Sequence, residues 1–513
     1  MFFDEIKKYP RPLQLSIFEG MFTSIMIGGG VTFIVPFALF LGANNLEIGF
    51  LLAFPALFAA FSQLGSIKLL DFYKQRRKAI TTIVFLQALS WLMIALIPFL
   101  FPQNQIFALI VIYTIGNIVG SIGGPIWQSW MSNLTPKEIL GEYFGVRNAL
   151  TGAIVFTTML IAGLLLNFIE PSLTLYAFSA IFLFSSLGRL TSSIIFRKID
   201  DPECIIEKDS TKFLTFVSQL RKDNFGYFVL FGSLMTFAIA LVGPFLSVYL
   251  LENLGLKSDY FTYTLIICAT TMAALISMPY WGKIIDKYGS IKTLKATGLL
   301  ASFYPILLIL VRDPIGLIFI EALSGIIFSG FNLCLANFIY ESFKHEKIVK
   351  YAGYQAALFG IATFAGVMIS GWIHTYSISF GILSNTFFVV CAIAVIARFT
   401  IYTLLIGKIK EVRETKDIKD KTLIISVLTF EPIRESLFAN AFMLISKTEN
   451  LTIRGVKTFG GIAKKGIITA EEYTKNASKF AESNLETVEN ITKKNICTMR
   501  EIIRKRKEKA EKK

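Results

Sequence analysis

Runs of about 20 or more mainly apolar residues recur along most of this chain, and that feature fixes the solvent in which it folds. A bilayer core of roughly 30 Å is crossed by about 20 helical residues. Helices also satisfy their own backbone hydrogen bonds inside it. On that template, spans are expected near 13–42, 46–70, 79–101, 105–132, 141–168, 171–196, 225–251, 258–285, 291–311, 314–340, 350–376 and 380–406. The composition agrees: 54% of the 513 residues are hydrophobic, only 17% are charged, and 48 are Phe. Mean hydropathy is +0.60. A disordered, fibrous or ordinary water-soluble chain is excluded.

Charge sets the orientation. Lys74, Arg76, Arg77, Lys78, Lys137, Arg197, Lys198, Lys208, Lys212, Arg221 and Lys222 fall in loops on one side, followed by Lys287, Lys292, Lys295, Lys344, Lys347 and Lys350. The opposite short loops hold only Lys257 and Arg312. The positive-inside rule therefore puts both termini in the cytoplasm of a multi-pass cell-membrane protein. The net charge is +15, of which the segment 408–513 contributes +9, from 24 Lys/Arg against 15 Asp/Glu. Membrane insertion accounts for such an excess, so the bilayer and its anionic headgroups are the expected partners, and nucleic acid is not.

Metal and redox chemistry have little to work with. Cys204, Cys268, Cys334, Cys391 and Cys497 show no metal-like or redox-like spacing, and the only histidines are His345 and His374. No cofactor, metal or disulfide framework is expected. The first apolar stretch is too long for a cleavable signal and lacks a small-x-small exit site. Gly455 to Gly461 lacks the Lys-Ser/Thr of a phosphate-binding loop, so direct ATP hydrolysis is not expected, and no nucleophile pairing suggests an enzyme.

The chain matches itself at an offset of 208. Glu138/Glu346, Tyr143/Tyr351, Gly145/Gly353, Ala149/Ala357, Leu150/Leu358 and Gly152/Gly360 coincide around the loop after spans four and ten. Pro36/Pro244 and Gly163/Gly371 share that offset, and Arg189/Arg398 follow one residue further along. With the polar loop 197–224 between spans six and seven, this implies a duplicated six-span unit. The expected organisation is 1–196 and 225–407 as two bundles, 197–224 as a linker, and 408–513 as a basic tail.

On these features residues 10–407 resemble the major facilitator superfamily. Gly282-Lys-Ile-Ile-Asp286-Lys287-Tyr-Gly289 is close to that family's signature after span eight. Asp71 with Arg76 and Arg77 is a looser copy after span two. The segment Trp130 to Asn148 also looks like the span four-to-five loop of many bacterial and archaeal members. The resemblance implies an all-α membrane fold of twelve helices in two six-helix bundles related by a pseudo-twofold axis. It further implies gradient-driven transport by alternating access, with spans one, four, seven and ten lining a cavity. Span five lacks the Gly-Pro pair of drug/proton antiporters, which disfavours a multidrug role.

Candidate residues follow from this. Asp71 and Asp286 are expected to accept backbone N–H groups at a facing helix start, forming a cytoplasmic gate with Arg76, Arg77, Gly282, Lys287 and Gly289. Span four carries a small, polar stripe of Asn117, Gly120, Ser121, Gly124 and Gln128; span ten answers with Gly325, Ser329, Asn332 and Ala336, with Glu321 one turn before. Such a face suits a cavity or close helix packing. Asn117, Ser121, Gln128, Glu321 and Asn332 are the cavity candidates. Glu19 and Glu321 are the proton-coupling candidates, since a carboxylate inside a membrane is expensive and marks an ion pathway. Glu19 also lies near enough to the interface to pair with Arg11 or a basic loop. Arg189 and Arg398 are expected to snorkel to headgroups. Trp127 and Trp130 are assigned to the interfacial belt, and His374 is a weak relay candidate.

In the tail, apolar residues from Ala470 recur at helical spacing and end in a basic cluster, Arg500 to Lys513. That pattern fits a helix lying on headgroups, docking on the bundle or self-associating. The reading is a secondary transporter of a small organic solute, with proton coupling. A transport-inactive receptor or scaffold and a lipid flippase are the alternatives.

Overall fold

The computed structural model describes residues 6–136, 139–202, 213–343, 345–376, 378 and 383–412. The tail's apolar patches, amphipathic helix and basic end lie outside the described residues, as do Cys204 and Cys497. Among the described residues, twelve helices are long and apolar enough to cross a membrane. They are α1 Arg11–Phe40, α2 Asn45–Gln63, α3 Arg76–Leu100, α4 Gln105–Leu134, α5 Leu140–Phe168 and α6 Thr174–Phe196, then α7 Asn224–Asn253, α8 Tyr260–Tyr288, α9 Ser290–Leu310, α10 Pro314–Ser342, α11 His345–His374 and α12 Thr386–Leu405.

Local chemistry sets their ends. Before α2, the Asn44 side chain accepts the N–H groups of Leu46 and Glu47, both at 3.0 Å, and Glu47 accepts that of Asn44 at 2.8 Å. This reciprocal box satisfies orphan donors at a helix start. Asp223, Asp259, Asp313 and Asn385 cap α7, α8, α10 and α12 more simply, each accepting one backbone N–H of the first turn. Two expected spans are trimmed. The span 46–70 stops at Gln63, and a short helix, Ser66–Tyr73, follows a turn at Leu64-Gly65; the span 380–406 begins only after the Asn385 cap.

The helices form two bundles of six. In the first, α1 packs on α5 and α6, and α3 on α4 and α6; in the second, α7 packs on α11 and α12, and α9 on α10 and α12. Between them, α2 runs along α11 and α5 along α8.

The first helix of each bundle is irregular. In α1 a π-turn spans Met26–Val31 and contains Gly28, Gly29 and Gly30. A Cβ at Gly30 would lie 2.7 Å from the Trp91 ring of α3, and one at Gly28 only 3.0 Å from Thr158 of α5. Only glycine permits that approach. In α7 the α-helix stops at Ala240 and restarts at Gly243-Pro244, where proline offers no N–H to the preceding turn.

On the side opposite the basic loops the bundles close against each other. Phe33 to Leu39 of α1 and Leu241 to Leu251 of α7 share one apolar core. Phe178 of α6 meets Tyr260 of α8 edge-on at 5.9 Å, and Asn45 donates to the His374 carbonyl at 3.1 Å. A Cβ at Gly371 would sit 3.3 Å from the Gly49 Cα. Overpacking of this kind costs roughly 1–3 kcal/mol, so Gly371→Leu should shift the population toward a seam that is open by about fivefold or more. Alkylation of a single cysteine placed at Leu39, in an otherwise cysteine-free chain, should be faster by that factor; unchanged labelling would show that the seam does not depend on this contact.

Candidate functional site

The two membrane-embedded glutamates sit in different chemistry. Glu19 is 2% exposed, and its Oε1 receives Arg147 Nη2 at 2.8 Å from α5. Its Oε2 lies 3.3 Å from the Ser192 hydroxyl and 3.4 Å from that of Thr23. Arg147 also donates to the Ser16 carbonyl at 3.3 Å and stacks 4.6 Å over the Trp127 ring. The partner is thus Arg147, 128 residues away, rather than Arg11 or a basic loop.

Glu321 is 4% exposed and has no ion-pair partner among the described residues. Three hydroxyls from three helices surround it. Thr270 of α8 donates to Oε2 at 2.6 Å, Tyr304 of α9 donates to Oε1, and Ser324 lies 3.2 Å from Oε2. A hydroxyl can donate or accept, so this cage can hold the carboxyl with or without its proton. Arginine only donates, so Arg147 needs an acceptor at Glu19.

Arg189 and Arg398 do not snorkel. Arg189 donates to Gln87 of α3 at 2.7 Å and to Thr23 of α1 at 2.6 Å. Arg398 is 1% exposed and donates to the Ala238 and Ile239 carbonyls of α7, at 3.2 and 3.5 Å, and to Ala301 of α9 at 2.9 Å. In each bundle, then, an arginine of the last helix bridges the first and the third. The tryptophans leave the interfacial belt as well. Trp127 carries Arg147, and Trp130 is fully buried, stacked on Phe196, with its N–H on the Asp200 carbonyl at 2.8 Å.

The small stripes divide. A Cβ at Gly116 or Gly120 would run into Ser90 or Gln87 of α3, and one at Gly325 or Gly330 into Thr270 or Trp281 of α8. Asn117 bonds the Tyr113 carbonyl of its own helix at 2.8 Å, and Ser329 bonds Ser277 of α8 at 2.8 Å. Those positions pack. Ser121 is half-buried, whereas Gly124, Gln128, Asn332 and Ala336, nearer the basic side, are exposed. At 100° per residue the centres of these faces lie about 100–120° round the helix from those that expose Phe107, Val111 and Ile115 on α4 and Ile315 and Phe319 on α10. One exposed face is apolar, as lipid requires, and the other is small and polar.

At the basic side, the role expected of Asp71 falls to a different residue. Asp71 is exposed, with no hydrogen bond or ion pair among the described residues. Asp201, just after α6, accepts the Arg77 N–H at 2.9 Å and Arg76 Nε at 3.2 Å. Buried Arg76 also donates to the Ser129 carbonyl at 3.1 Å and to that of Pro202 at 2.5 Å. The second bundle repeats the device: Glu411, just after α12, accepts the Ile291 N–H at the start of α9 at 2.8 Å. Asp286 and Lys287 are exposed, with Lys287 4.9 Å from the Tyr288 ring. Gly282 is half-buried, and Gly289 turns between α8 and α9 at φ +94°, a conformation that favours glycine. Asp201, Glu411, Tyr304 and Thr270 were not singled out from sequence; of these, only Asp201 carried a cue, in the Arg-Lys-Ile-Asp-Asp-Pro loop.

This geometry is that of a known family. The model of the Major Facilitator Superfamily matches residues 17–347. The chain belongs to that superfamily. Solved structures with this fold include the nucleoside transporter NupG, at TM-score 0.59 and 12% identity, covering 78% of this chain and 100% of that one. A D-xylose-proton symporter superposes at TM-score 0.58 with 13% identity, over 79% of this chain and 98% of that one. A bacterial homologue of the iron transporter ferroportin, in its inward-facing state, gives TM-score 0.56 and 14% identity over 77% and 98%. No curated protein sequence matches the chain.

The ion pair in this superfamily member makes a quantitative prediction. Removing one partner of a buried pair strands the other charge, at about 3–5 kcal/mol. Because the Arg147 side chain keeps 14% exposure, Glu19→Gln should cost ~2–3 kcal/mol. The double variant Glu19→Gln, Arg147→Met should recover part of that loss. Unfolding of the three proteins in one detergent measures it, and strictly additive losses would show that the pair carries no coupling.

Proposed function

We propose that the chain is a secondary active transporter that moves a small organic solute by alternating access and is coupled to protons at Glu321. The observation that carries the reading is the contrast between the two glutamates: one is paired with arginine, the other is caged by hydroxyls alone. A carboxyl that must bind and release a proton in each cycle needs the second environment. Glu19, held by Arg147, then has a structural role.

Under this reading, both termini are cytoplasmic and the basic loops face the cytoplasm. The closed seam is then extracellular, and the polar faces of α4 and α10, exposed toward the basic side, belong to a path open to the cytoplasm. Gln128 and Asn332 are the solute-contact candidates on that path, with Ser121 deeper. The Asp201–Arg76 and Glu411–Ile291 contacts brace each bundle at its cytoplasmic end, so that each moves as a unit. The sugar and nucleoside cargoes of the structural neighbours make neutral polar solutes the first panel to try.

The test uses purified protein in liposomes loaded with a trial solute. Wild type should accumulate its substrate against a gradient when a proton gradient is imposed. Glu321→Gln should lose that accumulation while still exchanging labelled for unlabelled solute, because exchange needs no net proton movement. If Glu321→Gln accumulates as well as wild type, the coupling site lies elsewhere; if no solute in a broad panel exchanges, the transport reading itself fails.

A further inference from the structure

We propose that the stacked pair of Arg147 and Trp127 is a binding subsite for an anionic oxygen, and that the solute is a small organic monocarboxylate. The inference rests on the transport reading above and narrows it to a substrate class. Two of the three guanidinium nitrogens of Arg147 are in use: Nη2 donates to Glu19 at 2.8 Å and Nε to the Ser16 carbonyl at 3.3 Å. Nη1 has no acceptor among the described residues. Trp127, whose ring lies 4.6 Å from the guanidinium, has an indole N–H that also lacks an acceptor among them. Trp130 differs, its N–H being satisfied by the Asp200 carbonyl at 2.8 Å. Neither open donor is sealed in the interior. The Arg147 side chain keeps 14% exposure, Trp127 is half-buried, and no buried polar atom without a partner belongs to either residue. Guanidinium and indole nitrogens only donate, so the pair is completed by an acceptor. A carboxylate can offer one oxygen to each donor.

Charge selects among acceptors. Within the spans and away from their ends, the charged side chains of the first bundle are Glu19, Arg147 and Arg189. Glu19 answers both arginines: Arg147 directly at 2.8 Å, and Arg189 through Thr23, whose hydroxyl lies 2.6 Å from Arg189 Nη1 and 3.4 Å from the carboxylate. Among the described residues no second carboxylate reaches either arginine. One positive charge is left over, and inside an apolar slab that is costly. A monoanion offsets it. A neutral solute leaves it in place, and a dianion replaces it with the opposite charge.

Trp127 faces the path rather than lipid. At 100° per residue it lies about 160° round α4 from the centre of the face that exposes Phe107, Val111 and Ile115. It stands one turn from Gly124, where a Cβ would meet nothing within 4 Å, and next to exposed Gln128. On α5, Gly145, Asn148 and Ala149 are exposed, whereas Gly353 and Ala357, the repeat partners of Gly145 and Ala149 on α11, are buried. The opening toward the basic side is therefore wider around α5, which carries Arg147, than around α11. Glu19 keeps its structural role: with the Ser16 carbonyl it holds the guanidinium by two nitrogens and leaves the third open to a ligand.

Exchange of labelled for unlabelled solute by the full-length protein in liposomes, measured above protein-free liposomes, tests this. The probes are lactate, gluconate, 4-hydroxybenzoate and nicotinate, each beside its amide. At least one carboxylate should exchange at a concentration where its amide does not. Trp127→Phe keeps an aromatic face under Arg147 but removes the N–H, and should raise the half-saturating concentration of that carboxylate about tenfold at an unchanged maximal rate. Arg147→Lys keeps the charge but loses the open nitrogen, and should raise it at least as much. Because Arg147→Lys also disturbs the Glu19 pair, Trp127→Phe is the deciding variant. A carboxylate that exchanges with wild-type half-saturation in folded Trp127→Phe overturns the subsite. Exchange of the amides, or of neutral sugars and nucleosides, with no carboxylate exchanging, overturns the substrate class and leaves the transport reading standing. If neither the carboxylates nor the neutral solutes exchange, both fall.

Discussion

Backbone carbonyls inside an apolar slab must find donors, and the second bundle is arranged around the break in α7, where the helix stops supplying them. A helix that crosses lipid unbroken needs no help. Those that begin each bundle are not unbroken. In α1 the disturbance is a single wide turn, Met26–Val31, whose hydrogen bonds stay within the helix. In α7 the helix ends outright at Ala240, and the freed carbonyls are met by Arg398 from α12 and Ser370 from α11. A hydrogen bond to a charged group contributes about 1.5–3 kcal/mol, which offsets part of what burying the guanidinium costs. The pieces of the second bundle are therefore tied through its least regular helix, and the first bundle is tied more loosely, through side-chain oxygens on Gln87 and Thr23.

The same economy of partners separates the two carboxyls. A glutamate facing an arginine and two hydroxyls is stable in one state; a glutamate facing three hydroxyls is tolerable in two. Duplication placed Arg189 and Arg398 at nearly the same register in each bundle, yet the glutamates are not repeat-related: Tyr113 stands where Glu321 would fall in the first copy, and Tyr227 where Glu19 would fall in the second. The scaffold is symmetric and the carboxyl chemistry is not, and the proposed coupling role accordingly falls on one bundle.

Much of the fold was legible because its cause is local. Length and hydropathy mark the spans, and an offset of 208 exposes the duplication through identities such as Gly152/Gly360. That Glu19 and Glu321 fall within apolar runs was legible too. Partners were not. Arg147 and Glu19 meet over 128 residues, and Arg398 reaches Ala238 over 160; nothing in either local sequence encodes that meeting. Asp71 was chosen because the family signature places an acid there, while the acid that binds the start of α3, Asp201, comes from beyond α6. Trp130 shows the converse error: a tryptophan near a span end suits the interface by composition, but one whose N–H has a buried carbonyl to bond belongs in the core.

The stripe of small residues on α4 and α10 was ambiguous for a physical reason. Close packing and a wet surface both exclude bulky apolar side chains, so composition alone cannot separate them. The structure does so by depth. Gly120 and Gly325 touch neighbouring helices, and only nearer the basic side do Gly124, Gln128, Asn332 and Ala336 come free. The two helices thus pack tightly toward the closed seam and part from their surroundings away from it. That gradient is what a rocking pair of bundles requires: a face that is packing at one end of the helix is surface at the other, and small residues alone can serve as both when the bundles tilt.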